Sequence, residues 1–165
     1  MSSRPADLAG HGGAQASKAE LLQRLSLEIR RNNASTTLFL QAVADRAGLN
    51  ITDLQVLGLL ELDGAATAGA LAKETGLSTG AITRLVDRLE KAGFVRRVRP
   101  PEDRRKVVIE PVVAQTRERI DPLFDGMVKA WVEFLADYDE EQLKRLLEVF
   151  DGMNPVLRNE IARLR

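Results

Sequence analysis

Cysteine is absent from this sequence of 165 residues, and histidine, tryptophan and tyrosine each occur once. Without cysteine the chain has no disulfide, no thiolate zinc site and no thiol redox switch. The one histidine, His11, lies close to the N-terminus, and no nucleophile–base pair or phosphate-binding loop can be found. We therefore expect a protein that is not an enzyme and needs neither a cofactor nor a metal.

Long apolar runs are also absent, since none approaches the roughly 18–20 residues that span a membrane. The first residues, 1–15, are small, polar and rich in glycine, and no apolar stretch follows Arg4. This composition excludes a secretory signal and predicts a disordered leader over residues 1–16. We expect a cytoplasmic protein with no membrane partner.

The formal net charge is zero, but the charges are unevenly distributed. Residues 73–110 carry ten basic and six acidic groups, a local excess of four positive charges, whereas residues 111–165 carry eight basic and eleven acidic groups. A basic segment in a neutral chain is an electrostatic footprint typical of nucleic-acid binding. A basic run taken alone is more often a solvated face, so the pattern around it has to decide.

Capping signals and apolar periodicity predict four helices before residue 94. Ser17 and Glu20 form a capping box that begins a long helix, which Gly48 ends. A second box, with Thr52 as the N-cap and Gln55 three residues later, begins a helix that ends near Gly64.

The next two helices are short and close together. Thr67 begins the third helix and Gly76 closes it, and Ser78 caps a fourth that ends at Gly93. A separation of only three residues is typical of a helix-turn-helix.

After Gly93 the period changes to that of strands. Residues 95–98 and 106–109 read as two strands joined by the polar turn 100–103. A helix-turn-helix followed by an arginine-rich hairpin is the order of a winged helix-turn-helix. The predicted fold class is therefore mainly α with a small β-hairpin, in which flanking helices serve dimerisation.

Beyond Pro111 the apolar pattern is helical again. Pro122 predicts either a kink or a restart with Asp121 as the cap. Asp139 caps another helix, which Gly152 and Pro155 are expected to break, leaving a short amphipathic tail. We assign residues 17–50 and 112–165 to a helical dimerisation region and residues 51–111 to the DNA-binding domain.

The fourth helix has two distinct faces at about 100° per residue. Its apolar face must pack on the preceding helices, and its other face carries short hydroxyls near the N-terminus and cations farther along, which suits a major groove. The candidate DNA-binding residues here are Ser78, Thr79, Gly80, Thr83, Arg84 and Arg88. Gly80 fits a close approach to DNA and, equally well, simple tolerance of glycine in a first helical turn.

The tip of the hairpin supplies the second candidate contact. Arg104 and Arg105 lie on a thin loop, and an arginine there can enter a narrow minor groove. Asp103 is expected to pair with a neighbouring arginine and to shape the wing. Such a surface pair stabilises by only about 0–1 kcal/mol, so its value is geometric.

These segments resemble the MarR family of bacterial transcriptional regulators. The resemblance rests on the run from Thr83 to Gly93 (TRLVDRLEKAG), on Val95 to Arg97, and on Pro101 to Arg105 (PEDRR). It covers roughly residues 52–110 closely and the flanking helices only in length and order.

The resemblance implies a homodimer whose N- and C-terminal helices intertwine, and a repressor that binds a pseudo-palindromic operator on double-stranded DNA. It implies that the helix from Ser78 lies in the major groove and that the wing, above all Arg105, lies in the minor groove. It also implies a small-molecule effector, in many members aromatic and anionic, bound between the two lobes. Where the family has Leu-Thr after the wing, this chain has Pro111 and Val112, which leaves the next helix start open.

Two alternatives stay open at this point. A winged helix can serve protein contacts without specific DNA binding, and salt-dependent binding to duplex DNA separates that function from ours. Trp131, Tyr138 and Phe39 could line a ligand pocket, but aromatic residues at helical spacing are more often core residues, and we favour the core. The polar run 32–37 inside the first helix reads either as a solvated face or as the lining of a cleft.

Overall fold

A computed structural model describes residues 16–101 and 103–165, so the predicted disordered leader lies almost entirely outside the described residues. Helices dominate, and three short strands form one antiparallel sheet. The elements are α1 Lys18–Ala47, α2 Ile51–Asp63, β1 Ala66–Thr67, α3 Ala68–Thr75, α4 Thr79–Lys91, β2 Val95–Val98, β3 Val108–Pro111, α5 Val113–Arg119, α6 Asp121–Leu135 and α7 Glu140–Leu164. No helix in this described part combines the length and the hydropathy that a bilayer crossing requires.

The chain divides into two compact units, Met1–Phe39 and Leu40–Arg165. In the first unit, residues 18–39 form the greater part of α1, and the leucines of this segment are exposed: Leu21, Leu22, Leu25, Leu27 and Leu38. The second unit contains the last turns of α1 and every later element. The domain boundaries drawn from the sequence stay predictions.

Most of the expected helix ends are confirmed because they are set by neighbours three residues apart. The Ser17 amide donates to Glu20 over 2.7 Å, and the Glu20 amide donates back to the Ser17 hydroxyl over 3.3 Å. Thr67 and Ser78 cap α3 and α4, and Asp139 forms a complete capping box with Gln142 on α7.

The predicted start of α2 at Thr52 is wrong by two residues. Asn50 is the N-cap: its side-chain oxygen accepts the Asp53 amide over 2.9 Å, and its side-chain nitrogen donates to the Asp53 carboxylate over 2.9 Å. Both Asn50 and Thr52 are good capping residues. The earlier one is favoured because the Asn50 side chain forms hydrogen bonds with both the amide and the carboxylate of Asp53. Thr52 lies in the first turn of the helix.

The C-terminal half corrects two further expectations. Pro122 marks a restart and not a kink, but the cap of α6 is Ile120 and makes no side-chain hydrogen bond, whereas Asp121 lies in the first turn. Gly152 and Pro155 do not break α7, which continues through both. The residues after Pro155 include strong helix formers, which offset the hydrogen bond that proline cannot donate.

The sheet has the order β1-β3-β2, with β3 paired antiparallel to both neighbours. The strand expected at 106–109 begins instead at Val108, because the Lys106 amide donates to the Asp103 carbonyl in the wing turn over 3.1 Å. The sequence did not reveal β1, which is only two residues long and offers no period to detect.

One apolar core lies within the second unit and unites the helix-turn-helix with the sheet. Its fully buried side chains come from α2, α3, α4, β3 and the residue that precedes β2, among them Leu57, Leu60, Leu71, Ile82, Leu85, Leu89, Phe94 and Ile109. Two helices stand apart from it, since neither α6 nor α7 contains a buried residue. The core position that we expected for Trp131 and Tyr138 is wrong in the single chain, where Trp131 is 60% exposed and Tyr138 is also exposed.

Candidate nucleic-acid interface

The helix-turn-helix is built from α3, a three-residue turn and α4. Gly76 ends α3 in the left-handed region (φ +73°), where glycine has no steric cost. The Thr75 hydroxyl donates to the Leu71 carbonyl over 2.7 Å and accepts the Leu77 amide over 3.3 Å, which ties the turn to the preceding helix. Ser78 then accepts the Ala81 amide over 3.2 Å and begins α4.

The two faces of α4 are sharply separated. Its apolar face is fully buried through Ile82, Leu85, Val86 and Leu89. On the other face the predicted contacts are exposed: Ser78, Thr79, Gly80, Thr83, Arg84 and Arg88. The apolar side therefore fixes the helix in the domain, and the N-terminal half of α4 presents hydroxyls and a cation outward.

Arg88 has a partner that sequence reasoning missed. Its guanidinium binds the Asp53 carboxylate of α2 through two hydrogen bonds, Nε to Oδ2 over 3.0 Å and Nη2 to Oδ1 over 2.6 Å. The Asp53 side chain is only 3% exposed. The hydrogen bond to Asp53 raises the pKa of Arg88 above its ordinary value. One edge of this guanidinium, formed by Nε and Nη2, is thus engaged inside the domain.

Two acids of α4 hold the strand β2, which leads into the wing, against that helix. Arg97 of β2 contacts Asp87 of α4 over 2.5 Å and also forms a short ion pair with Glu90, whose other oxygen accepts the Arg97 amide over 3.0 Å. Hydrogen bonds to Asp87 and then to Glu90 raise the pKa of Arg97. Because Asp87 and Glu90 are three residues apart on one helical face, α4 and β2 are joined at two points.

Asp103 lies in the wing turn, and its partners differ from the one expected. Its carboxylate accepts the backbone amide of Arg105 over 3.1 Å and lies 3.8 Å from the Lys106 ammonium. The expected pairing with an arginine side chain is wrong, because Asp103 forms a local turn with the amide two residues on. Arg104 and Arg105 are both exposed at this tip.

The basic segment therefore contains two kinds of cation. Arg88, Arg96 and Arg97 are paired with acids of neighbouring elements. Within residues 16–101 and 103–165 no ion pair is found for Arg84, Arg104 or Arg105. The same described residues hold no group of three acids or histidines that could bind a metal.

The Asp53–Arg88 pair generates a stability prediction. Replacing Arg88 with Ala leaves a buried carboxylate without its main partner, which costs on the order of 1–3 kcal/mol. Replacing Arg84 with Ala removes an exposed side chain and changes the free energy of unfolding by less than about 0.5 kcal/mol. Urea unfolding of both variants at one protein concentration measures the difference. Equal stabilities would contradict a structural role for Arg88.

Comparison with known proteins agrees with this architecture. A sequence profile described as the MarR family matches residues 49–107. The chain resembles a solved structure of a MarR family protein from Bacillus stearothermophilus with a TM-score of 0.62, over 89% of this chain and 99% of that one. At 22% identity this likeness concerns the fold alone.

Two relatives from Bacillus subtilis (strain 168) are similar in sequence. The chain is 40% identical to the uncharacterized HTH-type transcriptional regulator YcgE over 149 residues, which are 90% of this chain and 96% of that protein. It is 30% identical to the uncharacterized HTH-type transcriptional regulator YdgJ over 112 residues, 68% of each chain. With the winged helix-turn-helix already in place, these matches show that the chain belongs to the MarR family.

Proposed function

We propose that this protein is a dimeric DNA-binding transcriptional regulator, and specifically a repressor that binds a pseudo-palindromic operator. The observation that carries the proposal is the arrangement of α4, which buries all its large apolar residues in the domain and leaves hydroxyls and Arg84 exposed. The named relatives are HTH-type transcriptional regulators, which supports the same function. The choice of repressor rests on family resemblance.

In this proposal the exposed half of α4 reads base edges in the major groove. Ser78, Thr79, Gly80, Thr83 and Arg84 form the candidate surface. The Thr83 hydroxyl donates to the Thr79 carbonyl over 2.9 Å, so its lone pairs remain to accept from the amino groups of adenine or cytosine. Arg84 is long enough to reach guanine or a phosphate.

The wing tip supplies the second contact. Arg104 and Arg105 are exposed, and Asp103 holds the Arg105 amide, which fixes where this side chain starts. We propose that Arg105 enters the minor groove, where negative potential is strongest when the groove is narrow. Arg88 differs from these residues, because its engagement with Asp53 makes it a positioning residue for α4 and only secondarily a phosphate contact.

The dimer is proposed from the helices that the core leaves uncovered. The apolar side chains of α6 and α7 are exposed in the single chain, including Trp131, Phe134, Leu147, Phe150, Val156 and Leu157. Helices gain most of their stability from packing an apolar face, so these need a covering surface. A second copy offers the same apolar face and yields a two-fold dimer, the commonest oligomer. The leucines of residues 18–39 are likewise exposed in the single chain.

The first prediction separates the two DNA-reading elements. Arg105→Ala should weaken binding to operator and random duplex alike, and should lower the salt slope by about one unit for each phosphate that the variant no longer neutralises. Arg84→Ala, if Arg84 reads a base, should cost about 1–3 kcal/mol on operator and less on random DNA. Binding of each variant to both duplexes across a salt series is the measurement.

Two outcomes of that salt series would count against the proposal. If Arg105→Ala binds both duplexes as tightly as the original chain, the wing is only a hairpin. If the original chain shows no salt-dependent binding to any duplex, the domain serves protein contacts.

The second prediction concerns the oligomer. Light scattering at micromolar concentration should return about twice the chain mass of 18.2 kDa. Phe150→Glu, which places a charge in the apolar stripe of α7, should shift the protein toward monomer. Arg145→Glu is a matched control on the same helix, because Arg145 is a highly exposed residue in a surface pair with Glu141. A mass near that of one chain for the unaltered protein would reject the dimer.

A further inference from the structure

The residue that follows α7 contacts the helix-turn-helix. Nη1 of the Arg165 guanidinium donates to the carbonyls of Lys73 and Glu74, over 2.8 and 2.7 Å. Both carbonyls belong to the last turn of α3, where carbonyl groups lack a partner within the helix. A cation at this position also meets the negative end of the helix dipole. Arg165 therefore caps the helix that leads into the turn before α4.

Gly76 leaves the space that this guanidinium occupies. A Cβ on Gly76 would lie 2.7 Å from Nε and 2.8 Å from Cζ of Arg165, closer than such atoms approach in proteins. Gly76 thus does two things in the turn: it adopts the left-handed conformation at φ +73°, and it admits the Arg165 side chain against the backbone. The guanidinium therefore fits one particular place on the helix-turn-helix.

The Arg165 contact is the polar link between α7 and the helix-turn-helix. No residue of α7 is buried, so the apolar core does not hold this helix. Within residues 16–101 and 103–165, the other side-chain hydrogen bonds and ion pairs of α7 join residues three or four positions apart, on the helix or at its N-cap. In this part of the chain Arg165 alone connects the end of α7 to α3 by hydrogen bonds.

The value of this contact lies in position more than in stability. Arg165, Lys73 and Glu74 are all exposed, so water can serve the two carbonyls when the guanidinium leaves. Exchange of a protein hydrogen bond for one to water changes the stability of a fold only modestly. Water cannot, however, attach one helix to another. The contact therefore restricts where the helix-turn-helix lies relative to the end of α7.

From these observations we infer that Arg165 is a positioning residue, which holds the helix-turn-helix at the end of α7 and so sets the separation of the two α4 helices in the dimer. The inference rests on the proposed function, in which α7 joins two copies and α4 reads DNA. Helices held at one separation engage both half-sites without a further loss of freedom, whereas loosely held helices must be ordered on the DNA. Arg165 should therefore favour binding to two half-sites together, and not binding to one half-site.

The test compares two duplexes. The first is a duplex selected from a random pool and carries both half-sites, and in the second duplex one half-site is scrambled. Arg165→Ala should weaken binding to the first duplex about threefold to tenfold and leave binding to the second unchanged, so the ratio of the two affinities falls by the same factor. Fluorescence anisotropy titrations at one salt concentration, with the full chain, measure both affinities.

Arg163→Ala is the matched control. It removes an equal charge two residues away, from a guanidinium that binds Glu160 on the same helix, and should leave the affinity ratio unchanged. An equal loss on both duplexes, no loss on either, or the same fall in the ratio with Arg163→Ala would overturn the inference.

A second pair of variants tests the contact from the side of the turn. Gly76→Ala displaces the Arg165 guanidinium and should lower the affinity ratio as Arg165→Ala does, with no further fall when the two are combined. Gly48→Ala is its control: φ is +71° there, and a Cβ would meet no atom within 4 Å, so backbone strain is matched and the ratio should not change. A ratio that Gly76→Ala leaves unchanged, or that falls further in the double variant, would overturn the contact.

Failure of this inference can be told apart from failure of the proposed function. If the original chain is a monomer, or binds neither duplex, the proposed function fails and the role of Arg165 fails with it. If the original chain is a dimer that prefers the first duplex, and Arg165→Ala keeps that preference in full, only the role of Arg165 is overturned.

Discussion

The buried carboxylate of Asp53 is the constraint on which the position of α4, the helix that we propose reads DNA, depends. A charge that is almost wholly removed from water must be paired, and the pairing here comes from Arg88 of α4 through two hydrogen bonds. The Asn50 cap adds a third hydrogen bond at the start of α2. Because a bidentate guanidinium tolerates little rotation, this pair sets the orientation of α4 on α2 more strictly than apolar contacts alone.

The wing is positioned by the same kind of interaction on another face of α4. Arg97 contacts Asp87 and Glu90, so the strand that leads into the wing is tied to α4. Arginines that look equivalent in the sequence therefore belong to two groups: some pair with acids of neighbouring elements, and others are exposed with no ion pair in the described part of the chain. In our account Arg88 and Arg97 align α4 and the wing, and Arg84, Arg104 and Arg105 are left to meet DNA.

An interaction could be predicted from the sequence when its two partners lie close together along the chain. Caps at Ser17, Ser78 and Asp139 depend on a partner three residues away, and they were predictable. The Asp53–Arg88 pair spans 35 residues, and no local pattern marks it. An acid in the first turn of a helix is common, so Asp53 gave no signal of its distant partner.

The central claim is that α4 and the wing form one rigid DNA-reading unit that a dimer presents twice. Selection of duplexes from a random pool by the purified full chain, followed by sequencing and footprinting, tests it most directly. Our account predicts enrichment of two half-sites related by a two-fold axis and about 10 bp apart from centre to centre. Enrichment of a single asymmetric half-site, or of no sequence at all, would contradict it.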